Sequence, residues 1–117
     1  MTHYRERKRA KRAKDRERRL EGTYGLTSEE YRAIYEHQGS RCAICQVATG
    51  KTKALAVDHD HREPFLIRGL LCSPCNILIG RWGDDPAPFE RAISYLASPP
   101  ALAVIGERQA LLELEGD

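Results

Sequence analysis

Cys42-Ala-Ile-Cys45 and Cys72-Ser-Pro-Cys75 constrain this chain more than any other feature: they use all four cysteines, in two CxxC pairs separated by the segment 46–71. A CxxC turn aims two sulfurs at one centre, and two such turns complete a tetrahedral four-thiolate shell suited to structural Zn2+. Redox chemistry usually needs one such pair inside a βαβ pattern, which this sequence lacks. No apolar run approaches the length that a membrane span needs, and no apolar segment follows the basic start as a signal peptide would require. The expected compartment is the cytoplasm, where thiols stay reduced and paired cysteines point to metal before disulfide. A chain of 117 residues has room for one domain with a small core, which a bound ion would help to hold. Four thiolates leave no open coordination position, so catalysis must be sought elsewhere.

The order of elements around the cysteines reads strand, loop, strand, helix. "YGLTSEEYRAIYEHQG" predicts a helix with Thr27 and Glu30 as a capping box, Gly39 at the left-handed stop, and Tyr31, Ile34 and Tyr35 on one apolar face. Those aromatics are expected in the core rather than stacked on nucleic acid. A short strand follows the first cysteine pair, with Leu55 and Val57 alternating with alanines, and "FLIRGLLC" predicts the second. "SPCNILIGRW" predicts a helix with Ser73 as N-cap and Pro74 at its first position. A further helix starts at Asp85 with Pro86 behind it and carries Phe89, Ile93 and Leu96 on one face. "PP" at 99–100 ends it, and the tail to residue 117 has a short, acidic helical pattern that docks, pairs with a second chain or frays.

Between the cysteine pairs lies "VDHDH", residues 57–61, which holds two of the four histidines. Asp58 and His59 end the first strand, and Asn76 directly follows Cys75 in the first helical turn. Successive helical residues are rotated by about 100°, so Cys75 can face the zinc while Asn76 faces another side. If the strand packs across that helix, Asp58 and Asn76 converge and offer a carboxylate and an amide oxygen, a hard donor set suited to Mg2+ that keeps most of its waters. An imidazole beside such an ion has the basicity to take a proton from water, which completes the parts for hydrolysing a phosphodiester. The plainer reading is a polar turn whose histidines hydrogen-bond or cap; Asp60 suits an orienting role in that loop.

Charge is divided unevenly. Net charge is +2 over the whole chain, but residues 1–21 carry ten Lys/Arg against four Asp/Glu. Such an arm neutralises phosphates, and Arg5, Arg7, Lys8, Arg9, Lys11 and Arg12 are its candidate nucleic-acid contacts. The alternative is a solvated extension, helical or disordered, that serves solubility.

The run from "YGLTSEEYRAIYEHQGSRCAIC" through "LAVDHDH" and "IRGLLCSPCN" to "DDPAPFERAISYL" resembles the recombination endonuclease VII family of phages and bacteria, within the His-metal finger (HNH-like) nucleases. The resemblance implies a small α+β fold, a zinc-stabilised ββα-metal core with flanking helices and a basic N-terminal arm: arm over 1–22, nuclease domain over 23–98, tail over 99–117. It implies a Mg2+- or Mn2+-dependent DNA endonuclease acting on duplex or branched DNA, such as a Holliday-junction resolvase, in a bacterial cell or phage-infected host. Asp58 and Asn76 would hold the catalytic ion, His59 would be the general base, His61 would assist at the scissile phosphate, and Arg68 would contact a phosphate. Cutting both strands of a junction needs two active sites and hence a homodimer, for which the helical material after the finger is short. The competing readings are a non-catalytic zinc module that binds nucleic acid, and a zinc domain that docks proteins through its tail.

Overall fold

The computed structural model describes residues 2–112, with the side chain of Thr2 excepted. The elements are α1 (Thr2–Arg19), a π-helical turn (Leu20–Tyr24), α2 (Ser28–His37), β1 (Ala56–His59), β2 (Ile67–Leu71), α3 (Ser73–Arg81), α4 (Pro86–Ala97) and α5 (Pro100–Ile105). This is a small α+β architecture, and it divides into two units, Met1–Asp84 and Asp85–Asp117. Among the described residues no helix is long and apolar enough to cross a membrane.

In the first unit the centre is an antiparallel hairpin pairing Ala56 with Leu71, Val57 with Leu70, Asp58 with Gly69, and His59 with Ile67. The last two pairs skip Arg68, so β2 carries one extra residue there. Such a bulge bends the strand and re-aims a side chain. Strict alternation would send Arg68 to the face opposite Asp58; the bulge brings the two together.

Around the hairpin the buried apolar residues are few: Leu20, Tyr31, Cys42, Leu55, Val57, Leu70, Leu71 and Cys75. Two of these are cysteines, so the sulfur cluster is part of the core itself. Val57 and Leu70 face each other across the strands and stack the hairpin on α2 and the first cysteine turn. The capping box of α2 forms as expected: the Thr27 hydroxyl accepts from the Glu30 N–H at 3.1 Å, and the Glu30 carboxylate accepts from the Thr27 N–H at 2.9 Å. Gly39 takes the left-handed conformation, φ +78°. Tyr31 is buried with its hydroxyl donating to the Leu55 carbonyl at 2.5 Å, and Tyr35 donates to the Thr49 carbonyl. Both tyrosines thus tie α2 to the loop before β1.

Two details differ from expectation. The N-cap of α3 is Cys72, with Ser73 and Pro74 inside the first turn. Cys72 must stay extended (φ −70°, ψ 160°) to leave β2 with its sulfur in the cluster, and this starts the helix one residue earlier. The Ser73 hydroxyl accepts from Lys53 instead, at 3.1 Å. The second difference is Gln38, which follows α2: its amide nitrogen donates to the Leu70 carbonyl at 3.0 Å, and its oxygen accepts from the Leu70 N–H at 2.8 Å. A side-chain amide here does the work of a neighbouring strand on the open edge of β2.

α1 is helical through its basic run, and the chain passes from it into the π-helical turn, closed by Gly25 at φ +67°. Leu20 belongs to the core, and the Arg16 guanidinium lies 4.5 Å from the centre of the Tyr31 ring. The arm is therefore anchored by its last turns.

The second unit contains α4 and α5. Asp85 caps α4 as expected, accepting from the Ala87 N–H at 3.0 Å, with Pro86 at the first helical position. Ile93 and Leu96 of its apolar stripe are exposed, and neither helix has a buried residue. Of the tail, residues 113–117 lie outside the described residues.

Candidate functional site

The four cysteines converge as their spacing requires. One sulfur from each of Cys42, Cys45, Cys72 and Cys75 lies within 4.8 Å of all the others. A tetrahedral shell with metal–sulfur bonds of about 2.3 Å puts its sulfurs about 3.8 Å apart, and the Cys45 and Cys72 sulfurs are separated by 3.8 Å. Backbone donors are aimed at the cluster: the Val47 N–H lies 3.5 Å from the Cys45 sulfur and the Cys72 N–H 3.4 Å from that of Cys42. Burial pushes the Cys42 thiol up, but N–H groups of Cys72, Ile44 and Cys45 outweigh it and bring the group down to about 6. Cys75 goes the other way, raised to about 12 by burial and then by its three cysteine neighbours. Thiolates this close cannot all ionise by themselves, and a divalent cation at their centre removes the conflict. The donor set fits structural Zn2+, whose ligands here tie the chain before β1 to the start of α3.

At the other end of the hairpin a second cluster forms around Asp58. Its side chain is 6% exposed and is held by a two-pronged ion pair, Arg68 Nε to Oδ2 at 2.7 Å and Nη2 to Oδ1 at 3.1 Å. The same Nη2 donates to Asp84 Oδ1 at 3.1 Å, and the second Asp84 oxygen lies 2.8 Å from Nδ1 of His61. The carboxylate partners, Asp58 first, push the Arg68 guanidinium further up. His59 lies beside this network, its ring centre 5.0 Å from that of His61, with Tyr24 at 6.2 Å and Phe65 edge-on at 6.5 Å. His59 Nδ1 is 2.9 Å from the Asp60 carbonyl. A carbonyl only accepts, so Nδ1 is the donor in this contact. Asp60 orients the loop, its carboxylate accepting from the Arg62 N–H at 2.9 Å.

Of the candidate residues, Asp58, His59, His61 and Arg68 come together in this cluster. Asn76 is half-buried in the first turn of α3, the helix packed against β1. Arg5, Arg7, Lys8, Arg9, Lys11 and Arg12 are exposed along α1. Asp84 was not among the candidates. It sits 23 residues from its histidine partner and directly before the helix-capping Asp85, where it reads as a second capping acid.

The profile of the recombination endonuclease VII family matches residues 17–98. The chain belongs to the recombination endonuclease VII family. Nuclease activity with DNA as its substrate comes with membership of that family. The chain is also 53% identical to the Gene 59 protein of Mycobacterium phage D29 over 115 residues, covering 97% of this chain and 69% of the relative. Against the Gene 59 protein of Mycobacterium phage L5 the identity is 50% over 115 residues, covering 97% and 70%. No solved structure matches. The endonuclease VII region takes in both cysteine pairs, the whole hairpin, α3 and Asp84; α1 up to Arg16 precedes it.

Proposed function

We propose that the chain is a metal-dependent DNA endonuclease of the ββα-metal, His-metal finger type, with the hairpin and α3 as the finger inside a nuclease domain over 23–98. His59 is the general base: Nε2 takes a proton from a water, the hydroxide attacks phosphorus in line, and the 3′ oxygen leaves, giving a 5′ phosphate and a 3′ hydroxyl. His61 assists at the same phosphate, and the leaving oxygen takes its proton from solvent. Asp58 and Asn76 are the oxygen donors for one Mg2+ or Mn2+, which when bound supplies positive charge to the phosphate. Arg68 uses one face of its fork on the two aspartates, and its Nη1 remains to meet a phosphate oxygen. The basic residues of α1 hold the flanking DNA, as a duplex or a branched junction, and symmetric cutting of a junction would require a second copy of the chain.

The observation that carries this reading is the pairing of His59 with His61, ring centres 5.0 Å apart, at the end of a hairpin whose other end meets the four-cysteine cluster. Nicking of supercoiled plasmid in Mg2+ tests it. His59→Ala should lower the rate by at least about 100-fold, the usual worth of a general base, and equal rates for variant and wild type would refute it. One observation favours the non-catalytic nucleic-acid module: both Asp58 oxygens already accept from Arg68. Each carboxylate oxygen has two lone pairs, so an ion and the guanidinium can share it. DNA binding with no cleavage in Mg2+ or Mn2+ would decide for the module.

A further inference from the structure

Two consecutive left-handed residues, Gly83 at φ +61° and Asp84 at φ +62°, close α3. The Gly83 N–H donates to the Gly80 carbonyl at 3.0 Å and the Asp84 N–H to the Ile79 carbonyl at 3.2 Å. A non-glycine residue in this region is uncommon, and aspartate and asparagine tolerate it best. The reversal delivers a carboxylate that is 6% exposed, with one oxygen on His61 and the other on Arg68. The hydrogen bond from His61 holds the Asp84 carboxyl at about 2 against its burial, and Arg68 adds to this. An ionised carboxylate only accepts, so Nδ1 of His61 carries the proton in this contact.

His61 is 61% exposed on a hairpin loop. A ring so placed turns freely and takes either tautomer unless a partner holds it, and a carboxylate on the far nitrogen is the usual way to fix both.

We propose that Asp84 is a positioning residue of the site: it holds His61 in the Nδ1–H tautomer beside His59 and, through its other oxygen, anchors the Arg68 fork on Asp58. One carboxylate thus sets the orientation of the second histidine and of the cation that covers the acid, and α3 serves the site from both ends, with Asn76 in its first turn and Asp84 past its last. The effect on cleavage rests on the nuclease reading; the effect on His61 does not.

Two variants suit the backbone. Asp84→Gly tolerates the left-handed conformation and removes the carboxylate; Asp84→Asn keeps the turn and can serve His61 or Arg68 but not both. The measurements are the His61 tautomer, from long-range 1H–15N correlation on the zinc-loaded chain, and plasmid nicking resolved into kcat and KM. In the wild type His61 should be in the Nδ1–H form. In Asp84→Gly the Nε2–H form should dominate, kcat should fall about 10–100-fold with KM little changed, and Asp84→Asn should lie between. A His61 tautomer that stays Nδ1–H in Asp84→Gly, or a kcat equal to wild type with the tautomer altered, overturns the proposal. A wild type inert on DNA overturns the nuclease reading instead, and the tautomer then decides the Asp84 contact by itself.

Discussion

The two ends of one hairpin are built by opposite means. At the open end, four like groups arrive as two local pairs and form a donor set that fits a structural cation. At the looped end, unlike charges are collected from three places: Asp58 on β1, Arg68 from a bulge 10 residues away, and Asp84 from the cap of α3 another 16 residues on. These neutralise one another through hydrogen bonds. The first arrangement fits a cation at its centre; the second holds Arg68 and His61 through two carboxylates.

This contrast breaks most sharply at Cys72→Ser. Structural zinc contributes about 10–16 kcal/mol in small zinc-finger peptides, comparable to the whole stability of a typical domain. The variant, or the wild type stripped by a chelator, should lose its cooperative thermal transition; a metal-free chain that still melts cooperatively would show the core standing without its ion. Arg68→Met probes the other end. Removing the guanidinium leaves two buried carboxylates without a cation, at a cost of roughly 3 kcal/mol, the low end of the range for broken buried pairs because Arg68 is partly exposed. Denaturant titration measures it, and a neutral result would mean that the charged cluster orders the site without stabilising it.

Acid pH separates the two ends more gently. The folded value of Asp84, about 2, lies below its ordinary 3.8, so between those values the unfolded chain binds more protons and stability rises with pH. This contribution is complete above about pH 5, well past the unfolded value, and is lost as pH falls through about 2. Asp84→Asn should therefore lower the urea midpoint above about pH 5, where the contribution is complete; an unchanged midpoint would remove Asp84 from the linkage. The smallest effect on the fold belongs to the arm. Deleting residues 1–12 spares Arg16 and Leu20, so the melting temperature should hold. Six basic side chains go, and the slope of log affinity for DNA against log salt should shrink by up to about 5; an unchanged slope would return the arm to a solubility role.

Much of this was legible in the chain because it was local. The CxxC pairs, the Thr27–Glu30 box, the Asp85-Pro86 start of α4 and the left-handed Gly39 are all decided within a few residues, and each appears where the pattern put it. The α3 cap was misplaced by one position because a sulfur's direction overrode the serine's preference. Gln38 and Asp84 could not be read at all: an amide after a helix and an acid before a capping acid have no spacing signature, and their partners lie 32 and 23 residues away.

By itself the sequence determined that four cysteines would meet in a cluster fit for a cation and that an acid and two histidines would ride on the strand and loop between the two cysteine turns. Periodicity and ligand spacing encode such short-range facts. Only the tertiary structure decided that Arg68 lies over Asp58 and that Asp84 holds His61. A bulge flips a side chain by one residue, and a left-handed cap reverses a chain, and the contacts that reward either are made across the fold.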